Sequence, residues 1–151
     1  MESELISLGK IVLACILGGL VGLEREFADK PAGFRTHMLV CATSSFFVLL
    51  ATITVNSFEL ESRVSVDPIR LIEAIVVGIS FLGAGTILKY SRERTVEGLT
   101  TSASILSVSA IGIAVALDAY ILAVGVTLLD LIITWGVNAI THRIRSGSID
   151  K

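Results

Sequence analysis

Five apolar stretches of near-membrane length occupy most of this 151-residue chain, and the gaps between them are short. A helix crossing a hydrocarbon core of about 30 Å needs about 20 predominantly apolar residues, and its backbone polar groups must be satisfied within the segment. The runs fall at Leu5–Leu23, His37–Val55, Ile69–Leu88, Gly98–Leu117 and Ala119–Ile140, with Asp118 alone separating the last two. That separation requires a tight turn at the membrane boundary. Hydrophobic residues make up 53% of the chain, above the roughly 45–50% of soluble domains. The expected fold is an all-α integral membrane protein, a bundle of about five transmembrane helices forming a single domain over residues 1–151.

Several function classes drop out at once. There is no basic tail to bind nucleic acid, and a net charge of −2 means little when charges cluster in the gaps. Cys15 and Cys41 both lie inside apolar runs, away from metal-ligand spacing, and read as small buried hydrophobes. The opening Met1-Glu2-Ser3-Glu4 lacks the basic start of a secretory signal, so the first run is expected to stay as a membrane helix. An intramembrane protease would need a paired catalytic set, whereas His37 and His142 are expected at interfaces and only one carboxylate lies deep.

Lys and Arg placement sets the expected orientation. Arg25, Lys30 and Arg35 fall in the first gap, Lys89, Arg92 and Arg94 in the third, and Arg143, Arg145 and Lys151 in the tail. Arg63 and Arg70 are the basic residues of the second gap, and the Asp118 turn has none. The first and third gaps and the C-terminus are therefore expected in the cytoplasm of a multi-pass inner-membrane protein, and the N-terminus outside.

Polar groups inside the runs are the next candidates. Lys10 and Glu73 are expected at similar depth below the outer boundary, where an ion pair between them and simple snorkelling both relieve the cost of burial. Thr127, Asp130, Thr134, Asn138 and Thr141 recur at helical spacing, so the last helix carries one polar stripe with Asp130 near its middle. A carboxylate at that depth costs about 3 kcal/mol on insertion scales unless it is protonated, paired or wet. The stripe therefore faces the bundle interior or a partner chain, as a hydrogen-bonded structural group or an ion-handling one. Thr100, Ser104 and Ser107 share one face of the fourth helix, where hydroxyls bond back to their own helix, bond to a neighbour or line a polar path. Ala14, Gly18 and Gly22 line up at spacings of four and offer a close-packing face, within the chain or in a homodimer. Gly78, Gly83 and Gly85 crowd the end of the third run, permitting close contact or a helix break.

The gap between the first two runs holds three acids and three bases, Glu24, Arg25, Glu26, Asp29, Lys30 and Arg35, around the turn signal Asp29-Lys30-Pro31-Ala32-Gly33. Glu24 to Glu26 are expected to extend the first helix, and Arg35, Thr36 and His37 to open the second. A solvated cluster of interfacial charges is the plain reading, yet the balance exceeds what orientation alone requires.

The order of GLERE, AGFRTHML, GISFLGAGTIL and VEGLTTSASI running into AIGIA resembles the membrane domain of the MgtC/SapB family, from Gly22 to Ala114. The resemblance implies a non-enzymatic protein of the bacterial inner membrane tied to growth at low magnesium. In some members it implies survival inside host cells through restraint of the F-type ATP synthase. It points to Glu24, Arg25, Gly33, Arg35, Thr36, His37, Gly83, Gly85, Thr86, Gly98, Leu99, Thr100 and Thr101 as one inner-face motif without an assigned mechanism. Leu106 stands where the family usually has Trp, and Ala116 and Asp118 where it has a Gly-x-Gly. Longer members continue into a soluble ligand-sensing domain, whereas this sequence stops soon after His142 and Arg143, so regulation through such a domain is not expected. No cofactor is required. A regulator of a membrane partner and a Mg2+ carrier or channel remain the two functions to weigh, with Glu24, Glu26 and Asp130 as candidate metal ligands.

Overall fold

The computed structural model describes residues 2–58, 67–90 and 95–146, apart from the side chains at 56–58, 68, 88–90, 95–96 and 137–146. It contains five helices, α1 (Glu2–Phe27), α2 (Phe34–Phe58), α3 (Pro68–Ala84), α4 (Leu99–Ala116) and α5 (Tyr120–Ser146), together with a short hairpin of β1 (Leu88–Tyr90) and β2 (Thr95–Glu97). Among the described residues α1, α2 over Phe34–Val55, and α4 are long and apolar enough to cross a membrane, and α5 is apolar over Tyr120–Gly136. Lys10, early in α1, meets the end of α4, while Arg25, late in α1, lines a cleft with Thr101 at the start of α4. The two helices therefore run antiparallel.

Helix starts and stops follow the local chemistry. α1 ends in a Schellman arrangement, with Lys30 N–H bonding the Arg25 carbonyl at 3.0 Å and Asp29 N–H bonding Glu26 at 3.1 Å. Asp29 takes the left-handed position at φ 53°, which Asp tolerates better than most side chains. Glu26 then accepts the Phe34 N–H at 3.0 Å and caps α2. Gly33 leaves room for this cap, because a Cβ there would displace the Glu26 carboxylate. Asp67 caps α3 through the Ile69 N–H, with Pro68 preset for the first turn.

α4 is the hub, packing against α1, α2, α3 and α5. Ile105, Val108, Ile111 and Val115 are almost fully buried and join Ala14, Val21 and Cys41 in the main core. α2 is wedged between α1 and α4 at Cys41: a Cβ on Gly18 would lie 2.5 Å from the Cys41 Cβ, and one on Gly112 would strike the Cys41 backbone. Gly18 and Gly22 of the small-residue stripe are thus covered by α2 of the same chain, a Gly22 Cβ position lying 2.8 Å from the His37 Cβ, and Ala14 is fully buried.

Two expectations need correction. The third apolar run stops being helical at Ala84, four residues before Leu88, where a chain already carrying Gly83 and Gly85 turns into the hairpin pairing Leu88 with Glu97 and Tyr90 with Thr95. Lys10 does not pair with Glu73, which is exposed. Its ammonium bonds the Asp118 carboxylate at 2.7 Å and the Ala116 carbonyl at 3.3 Å. Asp118 adopts φ 62° in the α4–α5 turn, which brings it across to α1. His37 is fully buried among the helices, because Gly18 and Gly22 let its helix settle onto α1.

Candidate functional site

At the end where α1 stops and α4 starts, the structure brings together Arg25, Gly98, Leu99, Thr100 and Thr101, joined by Asp29, Lys30 and Glu97 and floored by Ile133 and Thr134 of α5. The cleft has a volume of about 850 Å3. Arg25 is only 2% exposed. Its Nη1 lies 3.6 Å from the Glu24 Oε2, beyond hydrogen-bond reach, and both Arg25 Nε and Glu24 Oε2 lack a hydrogen-bond partner. Gly98 holds φ 89°, and α4 begins there without a side-chain cap. The residue must be glycine, since a Cβ would run into the Thr86 carbonyl.

The remaining motif residues divide between neighbouring positions. Arg35, Thr36 and Gly33 border a second depression of about 470 Å3 with Glu26, Asp29 and Lys30. Gly83 packs on α4, where its Cβ position would fall 2.5 Å from Ser102 Oγ. Thr86 donates to the Gly83 carbonyl at 2.8 Å and meets Gly98 at the hairpin base, while Gly85 is exposed beyond the α3 end.

Behind the cleft lies a buried polar core. His37 Nδ1 is 2.8 Å from the Gly33 carbonyl and Nε2 is 3.0 Å from Ser104 Oγ, which also lies 2.9 Å from the Thr101 carbonyl. Ser44 and Ser109 share a hydrogen bond of 2.8 Å between α2 and α4. On α5, Thr127 and Thr134 bond back to the Ala123 and Asp130 carbonyls. Asp130 is half-buried beside Ser107 and His37, with its Oδ2 lacking a hydrogen-bond partner. The stripe faces the interior as far as Thr134, and Asn138 and Thr141 lie outside the described side chains.

The three candidate metal ligands are employed differently: Glu26 caps α2, Glu24 lies beside Arg25, and Asp130 is on α5. Among the described residues no three His, Cys, Asp or Glu side chains are grouped to hold an ion. Sequence reasoning passed over Glu97, whose only signal was its place before Gly98, and over Ser44, which pairs with Ser109 across the α2–α4 contact. At the far end, hydrogen bonds from Lys10 and Tyr120 hold the Asp118 carboxyl below the usual carboxylate range.

Long apolar helices around one buried polar hub, with a charged cleft where helix ends meet, define a helical membrane protein without a recognisable catalytic set among the described residues. The chain belongs to the MgtC family, whose family model matches residues 11–143. It is 35% identical over 105 residues to Protein SapB of Bacillus subtilis, covering 70% of this chain and 45% of that one. It is 32% identical over 135 residues to the Escherichia coli K12 protein named "Putative magnesium transporter YhiD", covering 89% and 62%. It is 37% identical over 100 residues to Protein MgtC of Brucella abortus, covering 66% and 38%. The chain spans about half the length of such curated relatives. None of these names denotes an enzyme, and that of the YhiD relative refers to magnesium. No solved structure matches the chain.

Proposed function

We propose that the chain is a multi-pass protein of a bacterial inner membrane that serves magnesium homeostasis by regulating a membrane partner, without catalysing a reaction. Its N-terminus lies outside and its C-terminus in the cytoplasm, which puts the Arg25–Thr101 cleft on the inner face. The observation that supports regulation over transport is the way the hub closes on itself. His37, Ser104, Ser44 and Ser109 bond to one another or to backbone, and Ile105, Val108 and Ile111 fill the space between at 0–1% exposure. A path for a hydrated divalent cation needs oxygen ligands and several waters instead. Partner helices have ample apolar surface on α5, where Ile121 and Ile132 are 92% and 67% exposed. The F-type ATP synthase is the partner that the family resemblance suggests.

The second reading is a Mg2+ carrier or channel, and Asp130 favours it. Its buried Oδ2 has no hydrogen-bond partner, and the YhiD relative bears a transporter name. Two measurements separate the readings: Mg2+ flux into liposomes carrying the purified chain, and rescue of growth at limiting magnesium by the same chain. Rescue without flux above empty liposomes supports the regulator. Flux abolished by Asp130→Asn refutes it.

A further inference from the structure

We infer that the cleft at the start of α4 binds a phosphate ester bearing a primary ammonium, the chemistry of a phosphoethanolamine lipid headgroup. The first turn of an 18-residue helix offers free backbone N–H groups and the positive end of its dipole, and here no side chain caps it. Glu26 and Asp67 serve that role for α2 and α3. The second observation is Arg25. This guanidinium lines the same cleft, is 98% removed from solvent by its 2% exposure, and leaves Nε–H without an acceptor. A buried cation whose nearest carboxylate stands at 3.6 Å is poorly compensated, and a phosphate oxygen supplies the missing acceptor.

The rim selects the rest of the ligand. Lys30 adds a second cation, but exposed Asp29 and Glu97 border the same opening. Two acids facing two bases disfavour a ligand of high net negative charge and match a zwitterion, with phosphate inward on Arg25 and the α4 N-terminus and ammonium outward on Asp29 and Glu97. The surroundings favour a lipid as the source. The cleft opens where the apolar part of α1 ends, with Phe27 and Trp135 at 87% and 78% exposure, as aromatic groups stand at membrane boundaries. A second, mostly apolar groove of about 510 Å3 is lined by Leu23, Phe27, Ala28, Leu131 and Trp135 with Glu24 as its one charged member, a surface suited to acyl groups.

The test titrates the detergent-purified full chain with dioleoyl-phosphatidylethanolamine, dioleoyl-phosphatidylglycerol, glycerophosphoethanolamine and inorganic phosphate. Bound lipid is read by native mass spectrometry and binding by the thermal midpoint. Phosphatidylethanolamine is expected to be retained in preference to phosphatidylglycerol. Lys30→Ala, at an exposed rim position, should weaken it about threefold, and Arg25→Lys about tenfold. Glu97→Gln should remove the preference between the two lipids. Equal or better retention of phosphatidylglycerol by the unaltered chain overturns the zwitterion, and a midpoint raised only by the soluble phosphates overturns the lipid source. Unchanged retention in Lys30→Ala and Arg25→Lys overturns the site. These readouts use purified protein alone, so they stand or fall separately from the regulator reading.

Discussion

Replacing Gly112 by alanine tests the packing at the centre of the fold. A Cβ there would lie 3.0 and 3.2 Å from the Cys41 carbonyl carbon and Cα, and closer still to the carbonyl oxygen. Non-bonded carbons settle near about 3.5–4.0 Å, and the obstructing atoms are backbone, which has no rotamer to escape into. α2 and α4 must therefore part by about 1 Å, an overpacking that costs about 1–3 kcal/mol. The same displacement stretches the Ser44–Ser109 bond, worth about 1 kcal/mol. Alanine returns up to about 1 kcal/mol in helix propensity, leaving a net loss of about 2 kcal/mol. Gly125→Ala is the control, because nothing lies within 4 Å of its Cβ position, and it should be neutral or gain up to about 1 kcal/mol. Unfolding of both variants by dodecyl sulfate in mixed micelles, followed by circular dichroism, reads the difference. Gly112→Ala matching or exceeding Gly125→Ala in stability would refute the wedge at Cys41.

Two further predictions concern the helix ends. Because Lys10 depresses the Asp118 carboxyl, the pair stabilises the fold above the ordinary value of 3.8 and loses that effect as pH falls through the lower folded value. Thermal midpoints of the unaltered chain and Asp118→Asn, which keeps the left-handed turn, should differ at neutral pH and converge below about pH 4; parallel profiles would count against the pair. Glu26→Ala removes the cap on the Phe34 N–H and should cost about 1 kcal/mol. Gly33→Ala should show a similar loss by displacing the same carboxylate, and amide exchange in the first turn of α2 measures both.

The two ends of the molecule were unequally legible in the sequence. The charged first gap and the Gly/Thr helix ends could be placed near one another from alternation of apolar runs alone, and Arg25 and Thr101 do share a cleft. Lys10 was harder, since similar depth along the helices pointed to Glu73, whereas its partner Asp118 stands in the α4–α5 turn, where the apolar pattern says nothing of contacts to α1. His37 opens an apolar run, so hydropathy places it at a membrane boundary and says nothing of what packs around it. Its burial comes from missing side chains on another helix, Gly18 and Gly22, which hydropathy does not weigh. The hairpin escaped for a related reason: three-residue strands carry too few side chains for their alternation to outweigh a neighbouring apolar run.

The burial of His37 also determines where its proton lies. Nδ1 faces the Gly33 carbonyl, which can only accept, so Nδ1 carries a hydrogen. Ser104 has one hydroxyl proton and two acceptors within reach, Nε2 at 3.0 Å and the Thr101 carbonyl at 2.9 Å. The carbonyl already receives the helical N–H four residues on, whereas a bare Nε2 in this setting would be an unsatisfied buried acceptor, costing about 1–3 kcal/mol. The Ser104 proton therefore goes to Nε2 and His37 is the Nδ1–H tautomer. The chain has two histidines, so His142→Gln leaves one for 15N-imidazole NMR in micelles. The spectrum should show one protonated and one hydrogen-bonded unprotonated nitrogen, and Ser104→Ala should move the second resonance alone. Two protonated nitrogens would reverse the assignment, turning the Ser104 hydroxyl onto Thr101 and linking the charge of His37 to the wall of the cleft.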